Sequence, residues 1–172
     1  YILSRLHSTI KQVTEYMEVY QMDKVPKTLD NLFLDLSRTY IQWTRDKINE
    51  KPEVVLGVIN EVVLCTLKLL SILAPFVSEK MYLDMKEAFD LKEESVHYFM
   101  WPKYDKKFID EKLERNVSII QDLIQSSLAA RDKVSIGVRW PLAKLTVVTT
   151  NKDVKDALKE LKNLLLSHVN IK

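Results

Sequence analysis

A mainly α fold, an antiparallel helical bundle with a small C-terminal α/β appendage, is what this sequence predicts, and three observations predict it. The 172 residues include only two glycines and five prolines, too little turn material for a strand-rich fold. Apolar residues recur at spacings of three and four over five long stretches, the mark of amphipathic helices. From Val134 the pattern changes to a β-branched run followed by one more helix. The plan is a helical-bundle domain over residues 1–133 and a strand–helix appendage over 134–172, cut short at its end.

Ile2, Leu6, Ile10, Val13, Met17 and Tyr20 form the first stripe. Pro26 closes a short linker. Leu29, Phe33, Leu36, Tyr40 and Trp43 form the second stripe, on a helix that ends before Pro52, because proline pushes the residue ahead of it out of helical angles. Between Glu53 and Ala74 apolar residues ring most of the circumference, so this helix is expected at the centre, covered on several sides. Pro75 kinks it or starts a new helix, which continues through Val77, Met81, Met85 and Ala88 to about Phe89. Ser95 to Tyr104, dense in aromatics, reads as an extended connection against the bundle. Ile109, Leu113, Val117, Ile120, Ile124 and Leu128 line a fifth helix that ends near Lys133. Beyond it Gly137 marks a turn and Leu145 to Thr150 is strand-like. Asn151 caps a last helix lined by Val154, Leu158, Leu161 and Leu165, and Val169 to Ile171 begins a second strand.

Composition sets limits on function. With 47% hydrophobic and 29% charged residues the chain has the balance of a folded domain, not of a disordered one. Its single cysteine, Cys65, sits in an apolar run; it can form neither an internal disulfide nor a cysteine-based zinc site alone. A reducing, cytoplasmic home is expected. No apolar run approaches the roughly 20 residues that cross a bilayer, so no membrane partner is expected. The chain opens at Tyr1 with polar residues every few positions, which is no signal peptide and reads as a piece of something longer. A net charge of +2 argues against a surface built entirely for nucleic acid and shifts attention to local clusters.

Catalytic patterns are missing from the sequence. Two glycines cannot build a phosphate loop or a dinucleotide fingerprint, and His7, His97 and His168 stand in no metal-ligand spacing. Cys65 reads as core. Basic residues interleaved with aromatics are what the chain does offer. Arg38, Arg45 and Lys47 lie on the second helix around Trp43, with Arg38 and Arg45 seven apart on one face. Arg131, Lys133, Arg139 and Lys144 form a second cluster with Trp140, opposed there only by Asp132. Guanidinium and ammonium groups neutralise phosphates, and flat rings stack on unpaired bases. Trp43 at helical spacing also suits a core position, and a basic turn also suits plain solvated surface.

The order of the pieces resembles a known family. Ile2-Leu3-Ser4-Arg5-Leu6-His7 looks like the opening helix of the anticodon-binding domain of class I aminoacyl-tRNA synthetases, with Tyr1 where tryptophan is common. Leu36-Ser37-Arg38-Thr39-Tyr40-Ile41-Gln42-Trp43-Thr44-Arg45 resembles its second helix, and Leu73-Ala74-Pro75-Phe76-Val77-Ser78-Glu79 its L-A-P-F-x-x-x-E segment. Ser95-Val96-His97 with Pro102, and the R-x7-R-x-P-L spacing of Arg131, Arg139, Pro141 and Leu142, are similar to isoleucyl enzymes of the archaeal and eukaryotic-cytosolic type. The resemblance implies a parent isoleucine-tRNA ligase that uses ATP and magnesium in a catalytic domain carried elsewhere. This piece would need no cofactor of its own, would catalyse nothing alone, and would hold the anticodon arm of tRNA. Arg5, Arg38, Arg45 and Arg139 match basic positions of the pattern; Trp43 and Trp140 are the stacking candidates; Lys47, Arg131 and Lys133 complete the expected tRNA-binding set. Arg5 and Arg38 could equally pair with bundle acids such as Glu15 or Asp35. The same domain of a valyl, leucyl or methionyl enzyme stays open, as does a helical protein–protein interaction module.

Overall fold

The computed structural model describes residues 1–172 except for the side chain of Asp46. It is built from helices: α1 (Ile2–Glu18), α2 (Val25–Leu34), a π-helical segment (Asp35–Tyr40), α3 (Ile41–Glu50), α4 (Pro52–Leu70), α5 (Pro75–Phe89), α6 (Glu111–Lys133) and α7 (Lys152–Val169). Short 3₁₀ turns occupy Met22–Lys24, Val96–Tyr98 and Lys106–Phe108. The chain divides into two compact units, Ile2–Ile109 and Asp110–Lys172 with Tyr1. The boundary expected from the sequence, 133/134, falls at the C-terminal end of α6.

In the first unit α4 is central: it touches α1, α2, α3, α5 and the turn at Val96–Tyr98. Its opening turns are less covered than the sequence predicts, for Val54 and Leu56 remain exposed. The bundle core is Ile2, Leu6, Ile10 and Val13 of α1 with Leu29, Leu32 and Leu36 of the second rod, formed by α2, the π-helical segment and α3, and Val62 and Leu69 of α4. Several stripes are rotated from their expected positions. Leu32 is buried, while Phe33 stands 55% exposed. Tyr20 lies outside the core, because α1 ends at Glu18 and the chain leaves through a left-handed residue at Tyr20 (φ 58°). On α5 the buried positions are Ser78 and Tyr82, and Val77 and Met81 face outward.

The resemblance motifs have local physical reasons. Pro75 does start a new helix, at a first-turn position where its missing N–H costs nothing. Glu79 one turn later accepts hydrogen bonds from Ser95 Oγ (2.8 Å) and Val96 N–H (3.0 Å). It thereby anchors the connection that follows. Tyr82 donates from its hydroxyl to the Glu93 carbonyl (2.8 Å) and meets Phe99 edge-to-face at 5.5 Å. Further along, Trp101 Nε1 donates to Thr14 Oγ1 (2.9 Å) and Asp105 N–H donates to His7 Nδ1 (3.1 Å). The connection therefore starts against α5 and α4 and finishes along α1.

The second unit is the α6–α7 pair and the segment joining them. Asp110 caps α6 through Leu113 N–H, and Asn151 caps α7 through Asp153 N–H, as side-chain oxygens do at orphan helix donors. The strand expected at 145–150 does not form. Leu145, Val147 and Thr149 are half-buried and alternate with exposed neighbours, Val148 being 92% exposed. The period of two is therefore expressed, but the segment has no ladder partner among the described residues, and a strand exists only through such pairing. Among the described residues, pairing is limited to a parallel bridge between Leu142 and Ile171. Leu142 N–H donates to Asn170 O (3.1 Å) and Lys172 N–H to Leu142 O (3.0 Å).

Candidate nucleic-acid interface

Five of the residues singled out from the sequence lie in the first unit. Arg5 is the most constrained: its Nε donates to Asp35 Oδ2 at 2.7 Å, and both side chains are largely covered. Asp35 is one of the two acids expected to compete for it, and it opens the π segment. There the backbone ladder widens by one residue, with Ile41 N–H donating to Leu36 O. Ser37 Oγ and Thr44 Oγ1 add bonds back to the carbonyls of Phe33 (2.8 Å) and Tyr40 (2.7 Å); such back-bonding bends and loosens a helix. π turns of this kind concentrate at functional sites.

Arg38 stands exposed within the widened turn, and Arg45 is exposed on α3. Neither meets a carboxylate among the described residues. Lys47 is exposed too, but two residues from Arg45 on a helix it belongs to a different face. Trp43 is half-buried and engaged within the fold. Burial also raises the Tyr40 phenol above its ordinary value, so this stretch of the rod is a mixed apolar and basic surface.

The other four lie in the second unit. Lys133, Arg139 and Trp140 are exposed, Trp140 by 72%. Arg131 is not: it is 4% exposed. Its Nη1 donates to Val169 O (3.2 Å), and its Nη2 to Gly137 O (2.7 Å) and Trp140 O. A guanidinium inside the fold needs such acceptors, and as a last-turn residue of α6 it also lies at the negative end of the helix dipole. A groove of about 630 Å³ opens beside it, lined by Gln125, Asp132, Ser135 and Val138 among others.

Two features escaped the sequence reasoning. Asn170, left-handed at φ 54° beyond α7, donates from Nδ2 to the carbonyls of Val138 (2.8 Å) and Arg139 (3.3 Å). Lys103 near the end of the expected Ser95–Tyr104 connection is exposed, and so are Lys106 and Lys107 just past it, beside Phe108, whose ring stacks on His7 at 4.9 Å and 14°. The Lys106-Lys107-Phe108 run was the available signal.

Chemistry of other kinds finds little here. No group of three or more metal-ligating side chains occurs among the described residues. Burial pushes the Cys65 thiol up, the opposite of nucleophile activation. No helix is long and apolar enough to cross a membrane.

Comparison with known proteins adds the remaining facts. Residues 1–149 match the family model described as the anticodon-binding domain of tRNA ligase. The whole chain aligns with isoleucine–tRNA ligases of Methanocella arvoryzae (31% identity), Pyrococcus abyssi (32%) and Methanosarcina mazei (33%). It spans only 16–17% of their length.

Proposed function

Because this chain belongs to the family of anticodon-binding domains of tRNA ligases, we propose that it holds the anticodon arm of tRNA, and isoleucine tRNA in particular, for a parent isoleucine-tRNA ligase. The observation that carries this reading beyond family membership is the exposed Arg139–Trp140 pair, a phosphate or base-edge donor beside a flat ring. Single-stranded RNA loops are bound by that combination, at about 1–3 kcal/mol per stacked base. Arg38 and Arg45 add charges on the bundle. ATP and magnesium are left to the catalytic domain of the parent chain, which would act in the cytoplasm and attach isoleucine to the acceptor end while this piece grips the far end.

A second reading, a helical protein–protein module, draws on an apolar groove of about 470 Å³ between Pro26, Leu29, Phe33, Val63, Leu67 and Met81. Binding measurements separate the two. The chain is titrated with isoleucine tRNA across a salt series, with valine and methionine tRNAs as competitors. Anticodon recognition predicts preference for the isoleucine tRNA and log affinity that falls linearly with log salt. Salt-sensitive binding without preference would withdraw the isoleucine assignment. Absence of binding at low salt, repeated with the parent enzyme carrying Arg139→Ala at unchanged tRNA affinity, would favour the protein-docking module.

A further inference from the structure

Arg131 and Arg139 look alike in sequence but occupy opposite sides of one loop. Four consecutive carbonyls, Gly137 to Trp140, are each taken by a donor from within the second unit. Arg131 holds the first and last, and Asn170 holds the middle two. Trp140 N–H closes the turn onto Gly137 O at 3.1 Å. With the carbonyl row turned inward, Val138, Arg139 and Trp140 project outward. Both ends are clamped as well. Ile136 N–H donates to Arg131 O (3.0 Å) and Ser135 N–H to Asp132 O (2.9 Å), which terminates α6, while the Leu142–Ile171 bridge fixes the exit. Pro141 offers no competing N–H and disfavours a helical Trp140.

Arg131 itself is poorly placed to touch a ligand. It is 4% exposed, two of its nitrogens are engaged with carbonyls, and its Nε is buried without a partner among the described residues. No carboxylate neutralises it among the described residues. A buried cation held by carbonyls alone is a costly arrangement whose visible product is a fixed loop. We infer that Arg131 and Asn170 are positioning residues: they fix the 137–140 loop so that Arg139 and Trp140 meet an RNA backbone and an unpaired base already ordered. This rests on the tRNA-binding reading above. Preorganisation of this kind strengthens binding by removing an ordering cost, not by adding a contact.

A mutant cycle on the whole chain tests it, read as affinity for an isoleucine tRNA transcript at one fixed salt concentration. Arg131→Met removes the donors to Gly137, Trp140 and Val169. Asn170→Gly keeps the left-handed backbone and removes the donors to Val138 and Arg139. Each is measured alone and in an Arg139→Ala/Trp140→Ala background. Positioning predicts that each weakens binding about tenfold alone and has no further effect once Arg139 and Trp140 are gone. A loss that persists in that background overturns the inference, since Arg131 would then contact RNA directly or act through global stability. No loss in the unaltered background overturns it equally. If Arg139→Ala/Trp140→Ala binds as tightly as the parent sequence, the RNA role of the loop itself fails, a result distinct from both. If Arg131→Met does not fold, Asn170→Gly carries the test alone.

Discussion

Tyr20, Asp90, Ser135 and Asn170 all adopt left-handed backbone angles, with φ between 50° and 58°, at the ends of α1, α5, α6 and α7. Asp and Asn tolerate this region; for a residue with a larger side chain the Cβ crowds the carbonyl at a cost of about 1–2 kcal/mol. Tyr20 is 88% exposed and loses no packing if replaced. Tyr20→Gly is therefore expected to raise stability by about 0.5–1 kcal/mol, the rest being offset by the freer unfolded chain. Gly57 makes the reverse case: it lies inside α4, with open space where a Cβ would stand. Gly57→Ala should stabilise by about 0.5–1 kcal/mol. Urea melts with an unchanged slope check both, and a destabilised Gly57→Ala would contradict the open geometry. The scarcity of glycine correctly pointed to helices, yet neither glycine terminates one, so glycine could not mark their ends. Arg131 teaches the same lesson about charge. Counting placed it with Arg139, whereas its spacing from Val117, Ile120, Ile124 and Leu128 continues the apolar stripe of α6, which was the legible sign of burial.

Helix existence was readable from periodicity, but which face turns inward was less so. The second rod buries Leu29 and Leu36 as expected, but Leu32 and Thr39 in place of the expected Phe33 and Tyr40. The stripe followed the largest side chains, whereas burial follows the neighbours, and a π turn that adds a residue to the ladder resets the phase from Arg38 onward. No sequence pattern announced that turn. The appendage was misjudged for another reason. Residues 145–150 have strand composition, but composition supplies no partner strand. In the second unit α6 and α7 are joined by an exposed polar linkage, Lys112 to Glu160, with Asn116 Nδ2 donating to Glu160 at 2.7 Å. The Lys112 bond first, then the Asn116 bond, lowers the Glu160 carboxyl below its usual 4.5. A carboxyl depressed in the folded state contributes stability above its unfolded value and loses it as pH falls through the folded value. The acid side of the stability profile is therefore where Glu160→Gln should act: the variant should be less stable near neutral pH and lose less between neutral pH and the acid range. Parallel acid limbs for the two proteins would show that the pair contributes nothing.

At the scale of the whole molecule, family motifs carried further than local patterns. The L-A-P-F-x-x-x-E and S-V-H segments proved to be two halves of one contact, Glu79 with Ser95 and Val96, a relation across 16 residues that periodicity does not encode. The basic residues were equally visible, but their roles depended on burial: Arg5 tied to Asp35, Arg131 enclosed, Arg38, Arg45 and Arg139 exposed. They are divided between the two compact units. Hydroxyl-radical footprinting of isoleucine tRNA bound to this chain tests the central claim most directly. Anticodon-arm binding predicts protection confined to the anticodon loop and the adjoining stem, lost in part with Arg139→Ala/Trp140→Ala. Protection centred on the acceptor stem, or none at a concentration where the complex is saturated, would contradict it.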